Sequence, residues 1–339
     1  MMNQNYGIGK QSIRLPKSVY IQSSASVVGK KEGEGPLGKY FDMVGEDEKF
    51  GCESWEEAES TLQKEAVTLA LGKGKCEAFE VRYLFAGDLL GQTIASTFGL
   101  GSFQMPYFGI YGACSTCGEG LSLGAMAVAA GYADKVLAVT SSHFASAEKQ
   151  FRFPLGYGNQ RPLSATWTVT GSGAFLLGTE KGMAKITGIT TGVIQDYGVK
   201  DTMNMGACMA PAAADTIYQN FMDFEIQPEE YDHIITGDLG YVGQEILIEL
   251  LRDKGYDIEK QHMDCGIEIF DRETQDTHSG GSGCGCAASV LSAYILPNIG
   301  NGNWKKILFV PTGALMSPVS FNEGQSIPSI AHGVVIEAV

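Results

Sequence analysis

The sequence predicts an α/β protein built from two similar halves, and two observations lead to this prediction. Short apolar runs alternate along the chain with helical patterns, as strands and helices do in an α/β sheet. An ordered series of three motifs also occurs twice, once in each half of the chain, which indicates a duplicated unit.

Four apolar runs are predicted strands, and each ends in a turn of small or polar residues. They lie at 81–86, 135–140, 233–236 and 306–310. Apolar residues at helical spacing lie before, between and after these runs. The corresponding predicted helices are 54–71, 121–130, 244–253 and 287–296.

The repeated motifs also place the boundary between the two halves. Gly-Asp-Leu follows a strand at 87–89 and again at 237–239, and each copy leads into a Gly-Gln helix start. A Gly/Cys-rich turn that enters a small-residue helix comes next, GACSTCGEGLSLGAMA in one half and GSGCGCAASVLSA in the other. The stretch 178–182 separates the two series. We therefore predict an N-terminal half of residues 1–180 and a C-terminal half of residues 181–339.

Composition and charge restrict the classes of function. The 339 residues carry a formal net charge of −15, which argues against binding to nucleic acid or to an anionic lipid surface. The N-terminus lacks the apolar core of a signal peptide, and no stretch approaches the roughly 20 apolar residues of a transmembrane helix. We expect a cytosolic compartment, in which the eight cysteines are free thiols.

Two cysteines, Cys114 and Cys117, lie on the turn before the small-residue helix of the first half. A helix N-terminus offers unpaired N–H groups and a positive dipole end, which would lower the pKa of the Cys114 thiol and activate it as a nucleophile. A small thiol could equally just fill a tight turn. The Cys-x-x-Cys spacing also fits a redox pair, and a zinc site could take Cys284 and Cys286 as further ligands.

Polar residues at predicted strand ends are further candidates for a site. Ser141, Ser142 and His143 follow one strand, at the edge where open α/β sheets bind ligands. A histidine at such a place is often only structural. Asp88 and Asp238 end the two equivalent strands, where an aspartate also suits helix capping, and we assign capping to Asp238.

Two features could bind an anion. Arg152 and Arg161 flank an aromatic, glycine-rich loop, FRFPLGYGNQRP, and could bind a carboxylate, although surface arginines are common. The glycine turn that contains His278 enters a helix and could present backbone N–H groups to an anion, or simply reverse the chain.

The cysteine turn resembles the nucleophile turn of the thiolase and ketoacyl-synthase superfamily. A small residue precedes Cys114, and Gly120 and Leu121 stand six and seven positions beyond it, as in that superfamily. The segment GSGCGCAASV resembles its later glycine-rich turn. The resemblance implies a thiolase-like fold, with two duplicated βαβ-type halves in a five-layer αβαβα arrangement, and a homodimer formed through a sheet edge.

The chain departs from this superfamily at the residues that act together with the nucleophilic cysteine. Asp238 stands at about the place of the histidine in the His-Gln-Ala-Asn turn, and the run Gly283–Cys286 replaces an asparagine. An oxyanion would therefore lack hydrogen-bond donors, so we expect no catalytic residue and hence no enzyme. We also expect no metal and no cofactor. His278 could answer to the Gly-His-x-x-Gly turn of thiolases. The alternative is thus a residual acyl-transferring enzyme that uses Cys114.

Longer strings resemble one branch, the stage V sporulation protein AD family. They are FAGDLLGQ, GIYGACSTCGEGL, TSSHFASAEKQFRFP, WTVTGSGA and VPTGALMSPVSFNEGQSIPSIAHGV. This resemblance implies a non-catalytic binding protein for dipicolinic acid (pyridine-2,6-dicarboxylate), free or as its calcium chelate, that acts in uptake of this acid into the developing spore. It also implies membrane-protein partners of the same sporulation operon and a peripheral location at the spore inner membrane.

The expected ligand site combines the resemblance with the strand-end residues. The helix N-terminus at Cys114 would hold one carboxylate, and serine and histidine donors would hold the other, so affinity should rise as the histidine protonates. Asp88 would accept from a protonated group or help to hold Ca²⁺. The predicted ligand-binding residues are Asp88, Cys114, Ser141, Ser142 and His143, with Arg152 and His278 as possible further contacts.

Overall fold

The structure is a computed structural model that describes residues 6–152 and 160–339. Its strands are β1 (Gly7–Ile8), β2 (Ser12–Val28), β3 (Met43–Val44), β4 (Tyr83–Gly87), β5 (Tyr107–Gly109), β6 (Lys135–Ser142), β7 (Trp167–Thr168), β8 (Gly171–Gly178), β9 (Ala184–Thr190), β10 (His233–Thr236), β11 (His262–Asp264), β12 (Gly281–Ser282), β13 (Lys306–Val310), β14 (Thr312–Ala314), β15 (Ser329–Ala331) and β16 (Gly333–Glu337).

The helices connect these strands. They are α1 (Lys30–Gly33), α2 (Trp55–Gly74), α3 (Ile94–Leu100), α4 (Thr116–Ala129), α5 (Phe144–Phe151), α6 (Met205–Phe224), α7 (Gly240–Asp253), α8 (Cys265–Glu268), α9 (Cys284–Val290), α10 (Leu296–Gly300) and α11 (Pro318–Asn322). A π-helical turn, Leu291–Ile295, joins α9 to α10. No helix of the described residues is both long enough and apolar enough to cross a membrane.

A 12-stranded sheet contains both halves of the chain, and its strand order repeats. From one edge to the middle the order is β5, β4, β6, β8, β2, and from the other edge it is β11, β10, β13, β16, β9. β2 pairs with β9 in the middle. Strand directions repeat as well, because β4–β6 and β10–β13 are parallel whereas β6–β8 and β13–β16 are antiparallel. The predicted duplication is thus confirmed, while the division into two domains at residue 180 stays a prediction.

The helices form three layers around the two half-sheets. α4 and α9 share one core with strands of both halves, in which Leu121 and Ala287 are buried beside Phe175 and Ile307. α2 packs on the outer face of the first half. α6 and α7 pack on the outer face of the second half. This gives the five-layer αβαβα arrangement that the sequence predicts.

Local sequence explains the ends of the predicted elements. Ser54 caps α2 by accepting a hydrogen bond from the backbone N–H of Glu57 at 3.2 Å, and Lys75 ends the helix in the left-handed conformation at φ 48°. The strands predicted at 233–236 and 306–310 are confirmed without change. α4 begins at Thr116, five residues before the prediction, so the cysteine turn lies directly at its start.

Candidate functional site

A narrow cavity lies beside Cys114, where turns from both halves of the chain meet. Most of the wall formed by the described residues is apolar, and it includes two methionines of α6 and a phenylalanine of α5. The apolar residues include Leu89, Phe151, Met205, Met209 and Met316, and the polar ones are Tyr111, Cys114, Glu148, Arg152, Thr166, Thr168 and Ser282.

The turn that carries Cys114 is tight. Ala113 adopts a left-handed conformation at φ 50°, which is costly for a residue other than glycine. The backbone N–H groups of Ser115 and Thr116 donate to the carbonyls of Gly112 and Ala113 at 3.1 and 3.2 Å. Two of the donors at the start of α4 therefore serve the turn itself and do not face a ligand.

The environment of the Cys114 thiol disfavours the thiolate. Burial raises the pKa of Cys114 well above its usual range, and the nearby Asp238 carboxylate raises it further. The Ser282 hydroxyl lies 3.9 Å from the sulfur, too weak a contact to offset this. The sequence-based expectation of a lowered pKa is therefore wrong, because desolvation and a like charge outweigh the helix dipole.

Asp238 belongs to this site and does not cap a helix. Its carboxylate accepts hydrogen bonds from the Ser282 hydroxyl at 2.8 Å, the Gly283 N–H at 3.0 Å and the Thr312 hydroxyl at 2.7 Å. The N–H groups at the start of α7 donate to Asp264 instead. The capping role assigned from the sequence is wrong, since Asp264 already occupies that place.

Gly283 shows why this turn needs glycine. Its φ is 103°, and a Cβ at this position would lie 2.5 Å from the Ser142 hydroxyl. The Gly283 N–H donates to Asp238, and the Gly285 N–H donates to the Ser142 hydroxyl at 3.1 Å. These donors are engaged within the protein.

The charged pair of the cavity is Glu148 and Arg152, one turn apart at the end of α5. Arg152 donates from Nη1 to Glu148 Oε1 at 2.5 Å and from Nη2 to the Thr202 carbonyl at 3.4 Å. Within the described residues, Arg152 Nε and Glu148 Oε2 are buried and have no hydrogen-bond partner. Burial raises the pKa of Glu148, although Arg152 and Arg161 oppose the shift.

The two strand-end serines lie close to the cavity but not in its wall. The Ser141 hydroxyl donates to Glu59 at 2.9 Å, and the Ser142 hydroxyl donates to the Val169 carbonyl at 2.7 Å. Burial and the neighbouring Asp88 raise the pKa of Glu59 to about 8. Both serines therefore belong to internal hydrogen-bond networks.

His143 and Asp88 also have internal partners. His143 caps α5, since its Nδ1 accepts the Ala145 N–H at 3.1 Å while Nε2 bonds to the Glu48 carbonyl at 2.7 Å. Burial lowers the pKa of His143. The Asp88 carboxylate accepts from the Leu90 N–H and from the backbone and hydroxyl of Ser96, and burial raises its pKa.

The two remaining candidates are His278 and Arg161. His278 bonds through Nδ1 to the Pro162 carbonyl at 2.8 Å and through Nε2 to Asp276 at 3.0 Å. Arg161 donates to Asp276 and lies 4.7 Å from the centre of the Trp167 ring. Neither lines the cavity. Part of the loop between the two arginines, residues 153–159, lies outside the described residues.

A redox pair and a zinc site are the other two hypotheses for the cysteines. All eight are free thiols, and burial raises the pKa of Cys117 to about 12. In residues 6–152 and 160–339, no group of three or more histidine, cysteine or acidic side chains is placed to hold a metal ion.

The fold is the one found in thiolases and ketoacyl synthases, as two solved structures show. Human mitochondrial 3-ketoacyl-CoA thiolase in complex with CoA superposes with a TM-score of 0.59 and 12% identity, over 96% of this chain and 99% of that one. The 3-oxoacyl-[acyl-carrier-protein] synthase III of Aquifex aeolicus VF5 superposes with a TM-score of 0.57 and 13% identity, over 94% and 99%. At these identities the likeness concerns the fold alone.

Sequence similarity identifies the branch. The chain belongs to the stage V sporulation protein AD (SpoVAD) family, whose family model matches residues 9–337. It is 41% identical over 329 residues to the stage V sporulation protein AD of Bacillus subtilis (strain 168), covering 97% of each chain.

Two residues of the site were not predicted as ligand contacts. Glu148 lies four residues before Arg152 on a helix, a spacing that favours an ion pair and could have indicated it. Asp238 is recognisable from the sequence as a strand-end residue. Its hydrogen bonds to Ser282 and Gly283 join positions far apart in the chain, so no local sequence pattern indicates them.

Proposed function

We propose that this protein binds dipicolinic acid, free or as its calcium chelate, in the cavity beside Cys114, and acts without catalysis in its uptake into the developing spore. Membership of the SpoVAD family supports the sporulation context. The observation that carries the ligand assignment is a cavity with largely apolar walls and one arginine whose Nε has no partner in the described part of the chain. A flat aromatic ring bearing carboxylates matches both features.

Arg152 is the group we expect to hold a carboxylate. The Nε and Nη2 groups of an arginine form one edge of a planar fork that binds a carboxylate through two parallel hydrogen bonds. On this edge Nε is unpartnered, and Nη2 makes only a long contact with a carbonyl. The methionines and Phe151 would pack on the ring. The hydroxyls of Thr166 and Thr168 are donors for the second carboxylate.

The chemistry around Cys114 supports binding without catalysis. Acyl transfer by a cysteine needs a thiolate, a neighbouring base and donors for the oxyanion. Here burial and Asp238 keep the thiol protonated, and the two nearby donors at the start of α4 are engaged in the turn. His143 and His278 are both bonded elsewhere.

Direct ligand contacts from Asp88, Ser141, Ser142 and His143 stay a prediction. Each of these side chains would first have to release a buried hydrogen bond, which costs about 1–3 kcal/mol when the group left behind is unsatisfied. The proposal therefore assigns the principal contact to Arg152. The same reasoning applies to His278, which is bonded to Pro162 and Asp276.

We further propose that two copies pair through β5. This strand is at the edge of the sheet, all three of its residues are exposed, and Phe108 is 51% exposed. An unpaired edge with exposed aromatic side chains favours pairing with another strand. Sedimentation should report a dimer that Phe108→Asp weakens and Phe79→Asp, at a more exposed phenylalanine outside β5, does not. A monomeric wild type contradicts this pairing.

The membrane-protein partners of the same operon stay part of the proposal. The described residues contain no helix suited to cross a bilayer, so we propose that such partners hold the protein at the periphery of the spore inner membrane. Co-purification from sporulating cells after mild detergent extraction tests this attachment. Recovery of the whole protein without detergent, free of membrane, contradicts it.

Calorimetry with dipicolinate tests the main proposal. We expect saturable binding heat from the wild-type protein, and much weaker binding of benzoate, which carries one carboxylate. No heat up to millimolar dipicolinate overturns the proposal. Incubation with an acyl-CoA tests the alternative, because acyl transfer would add the mass of the acyl group to the protein and Cys114→Ala would abolish the addition. That result would favour the residual enzyme.

A further inference from the structure

The cavity that we propose for an anionic ligand contains a buried acidic residue, Glu148. Glu148 is 2% exposed and shares the cavity wall with Arg152, the group that we expect to hold the ligand carboxylate. An acidic ligand would thus enter beside a buried carboxyl group. Repulsion between two buried carboxylates is strong, so the structure must compensate for it.

The hydrogen bonds of the pair show how the compensation can work. Glu148 engages Arg152 at Nη1 through Oε1 only, and its Oε2 has no partner among the described residues. The opposite edge of the guanidinium, Nε with Nη2, is the one that can take a ligand carboxylate. The bound state would therefore place one guanidinium between two carboxyl groups, without displacing Glu148.

We propose that Glu148 takes up a proton when an acidic ligand binds at Arg152, so that ligand binding is coupled to protonation of this residue. The inference rests on the proposed function of the cavity. Arg161 is already paired with Asp276 at 3.1 Å, so Arg152 is left to neutralise one carboxylate. In a buried site the second carboxyl group is far more stable as the neutral acid. The proton comes from the solvent and binds at Oε2, the oxygen without a partner. No covalent bond changes.

The other ionisable groups around Glu148 do not take this role. Arg152 and Arg161 have no acceptor atom that could take up a further proton. The Cys114 thiol and the Tyr111 hydroxyl have raised pKa values and are already protonated near neutral pH. The charged neighbours of Glu148 are Arg152 and Arg161, and Tyr111 and Cys114 share the cavity wall with it. Asp238 lies beside Cys114.

Asp238, beside Cys114, is another buried carboxyl group that could take up the proton. Burial raises its pKa, but its two oxygens accept three hydrogen bonds, from Ser282, Gly283 and Thr312. These donors favour the charged form. Glu148 has a single donor on one oxygen, so its carboxyl group is the easier one to protonate.

The coupling makes binding depend on pH in a defined direction. Between the pKa of Glu148 in the free protein and its higher value in the complex, the affinity for the acid falls up to tenfold for each unit of rising pH. The expectation that His143 protonation strengthens binding is replaced, because this histidine is buried and bonded at both ring nitrogens. Protonation would break its hydrogen bond from the Ala145 N–H.

Proton counting by calorimetry tests the inference. Titration of the wild-type protein with dipicolinate in two buffers of different ionisation enthalpy gives the number of protons taken up. We expect a value that approaches one per ligand at some pH between about 6 and 8.5, where the free ligand carries both charges. Binding without proton uptake anywhere in this range overturns the inference and leaves the proposed function intact. Absence of binding overturns both.

Two variants assign the proton. Glu148→Gln keeps an oxygen that accepts from Arg152 but cannot ionise, so proton uptake should vanish and the affinity should no longer change with pH. Asp238→Asn is the matched control, and its complex should still take up a proton. Persistent uptake in Glu148→Gln contradicts the assignment, as does loss of uptake in Asp238→Asn alone. Absence of proton uptake by the wild-type protein overturns the inference by itself, so the inference can be refuted even if a variant does not fold.

Discussion

Replacement of Arg152 by methionine is the perturbation that most clearly separates a ligand-binding cavity from an ordinary ion pair. Methionine keeps much of the length and apolar stem of arginine but removes the charge and all five N–H donors. The neighbouring Glu148 loses the one hydrogen-bond donor that the described residues give it. Because Glu148 is buried and its pKa is raised, it should become neutral rather than remain charged. The fold should therefore survive, which thermal unfolding will verify.

The expected loss follows from the contacts that the fork would make. A hydrogen bond to a charged group contributes about 1.5–3 kcal/mol, and Arg152 offers two such bonds on its Nε–Nη2 edge. The Arg152 side chain is 19% exposed, so screening by water reduces the effect only in part. We expect a loss of about 2–4 kcal/mol, which corresponds to a roughly 30- to 900-fold weaker Kd for dipicolinate.

Two further variants make this prediction specific. Arg152→Lys retains the charge without the fork, so its affinity should lie between those of the wild type and of Arg152→Met. Arg272→Met removes an exposed arginine that contacts Tyr241, outside the cavity, and should leave the Kd unchanged. Calorimetric titration measures all three. An Arg152→Met protein that is folded and binds within about threefold of the wild type would refute the assignment of the carboxylate to this residue.

Three further predictions concern the buried groups and the first long helix. Between about pH 4.5 and pH 8, Glu59 holds a proton in the folded protein that it has released in the unfolded chain, so the free energy of unfolding should fall as pH rises. Urea titrations of Glu59→Gln should show a shallower fall. An unchanged dependence on pH contradicts the raised pKa of about 8. The rate of Cys114 alkylation, measured against pH, should show no inflection below about pH 9. In Asp238→Asn the inflection should move to lower pH. Equal rate profiles would show that Asp238 does not influence the pKa of the thiol. Ser54→Ala should reduce the free energy of unfolding by about 1 kcal/mol, because it removes the α2 cap. The control Ser18→Ala, on an exposed part of β2, should not reduce it. Equal free energies of unfolding for the two variants contradict the capping role of Ser54.

The strands β4, β6, β10 and β13 were predictable because each is a short, continuous apolar run. β2 was not, although it is the longest strand and pairs at the centre of the sheet. Its sequence contains a proline and several serines, which do not suggest a buried strand. The serines are accommodated by partners that the chain brings from elsewhere, since Ser23 donates to the Ala70 carbonyl and Ser12 pairs with Thr190.

The helix α6 shows a second limit of the same kind. It runs for 20 residues, yet Pro211 lies inside it, and a proline normally ends a helical pattern. The sequence alone cannot tell that tertiary burial outweighs one lost backbone hydrogen bond. Asn204 supplies the helix cap by accepting the Ala207 N–H at 3.2 Å.

The site was predictable where one local motif defines it. The glycine-rich cysteine turn located Cys114 from sequence, and the arginine near the aromatic loop, Arg152, was recognised as a possible carboxylate contact. The raised pKa of the thiol was not predictable, because it depends first on burial and then on Asp238, which reaches the cysteine from the other half of the chain. The burial of Glu148 likewise depends on how α5 packs against the cavity, and its neighbours in sequence do not reveal it.

A crystal structure of the protein grown with dipicolinate would test the central claim most directly. We expect the ligand ring against the methionines of α6, one carboxylate bound side-on to Nε and Nη2 of Arg152, and an unmodified Cys114. Electron density for dipicolinate at another place, with this cavity empty at saturating ligand, would contradict the account, as would a covalent adduct on the Cys114 sulfur.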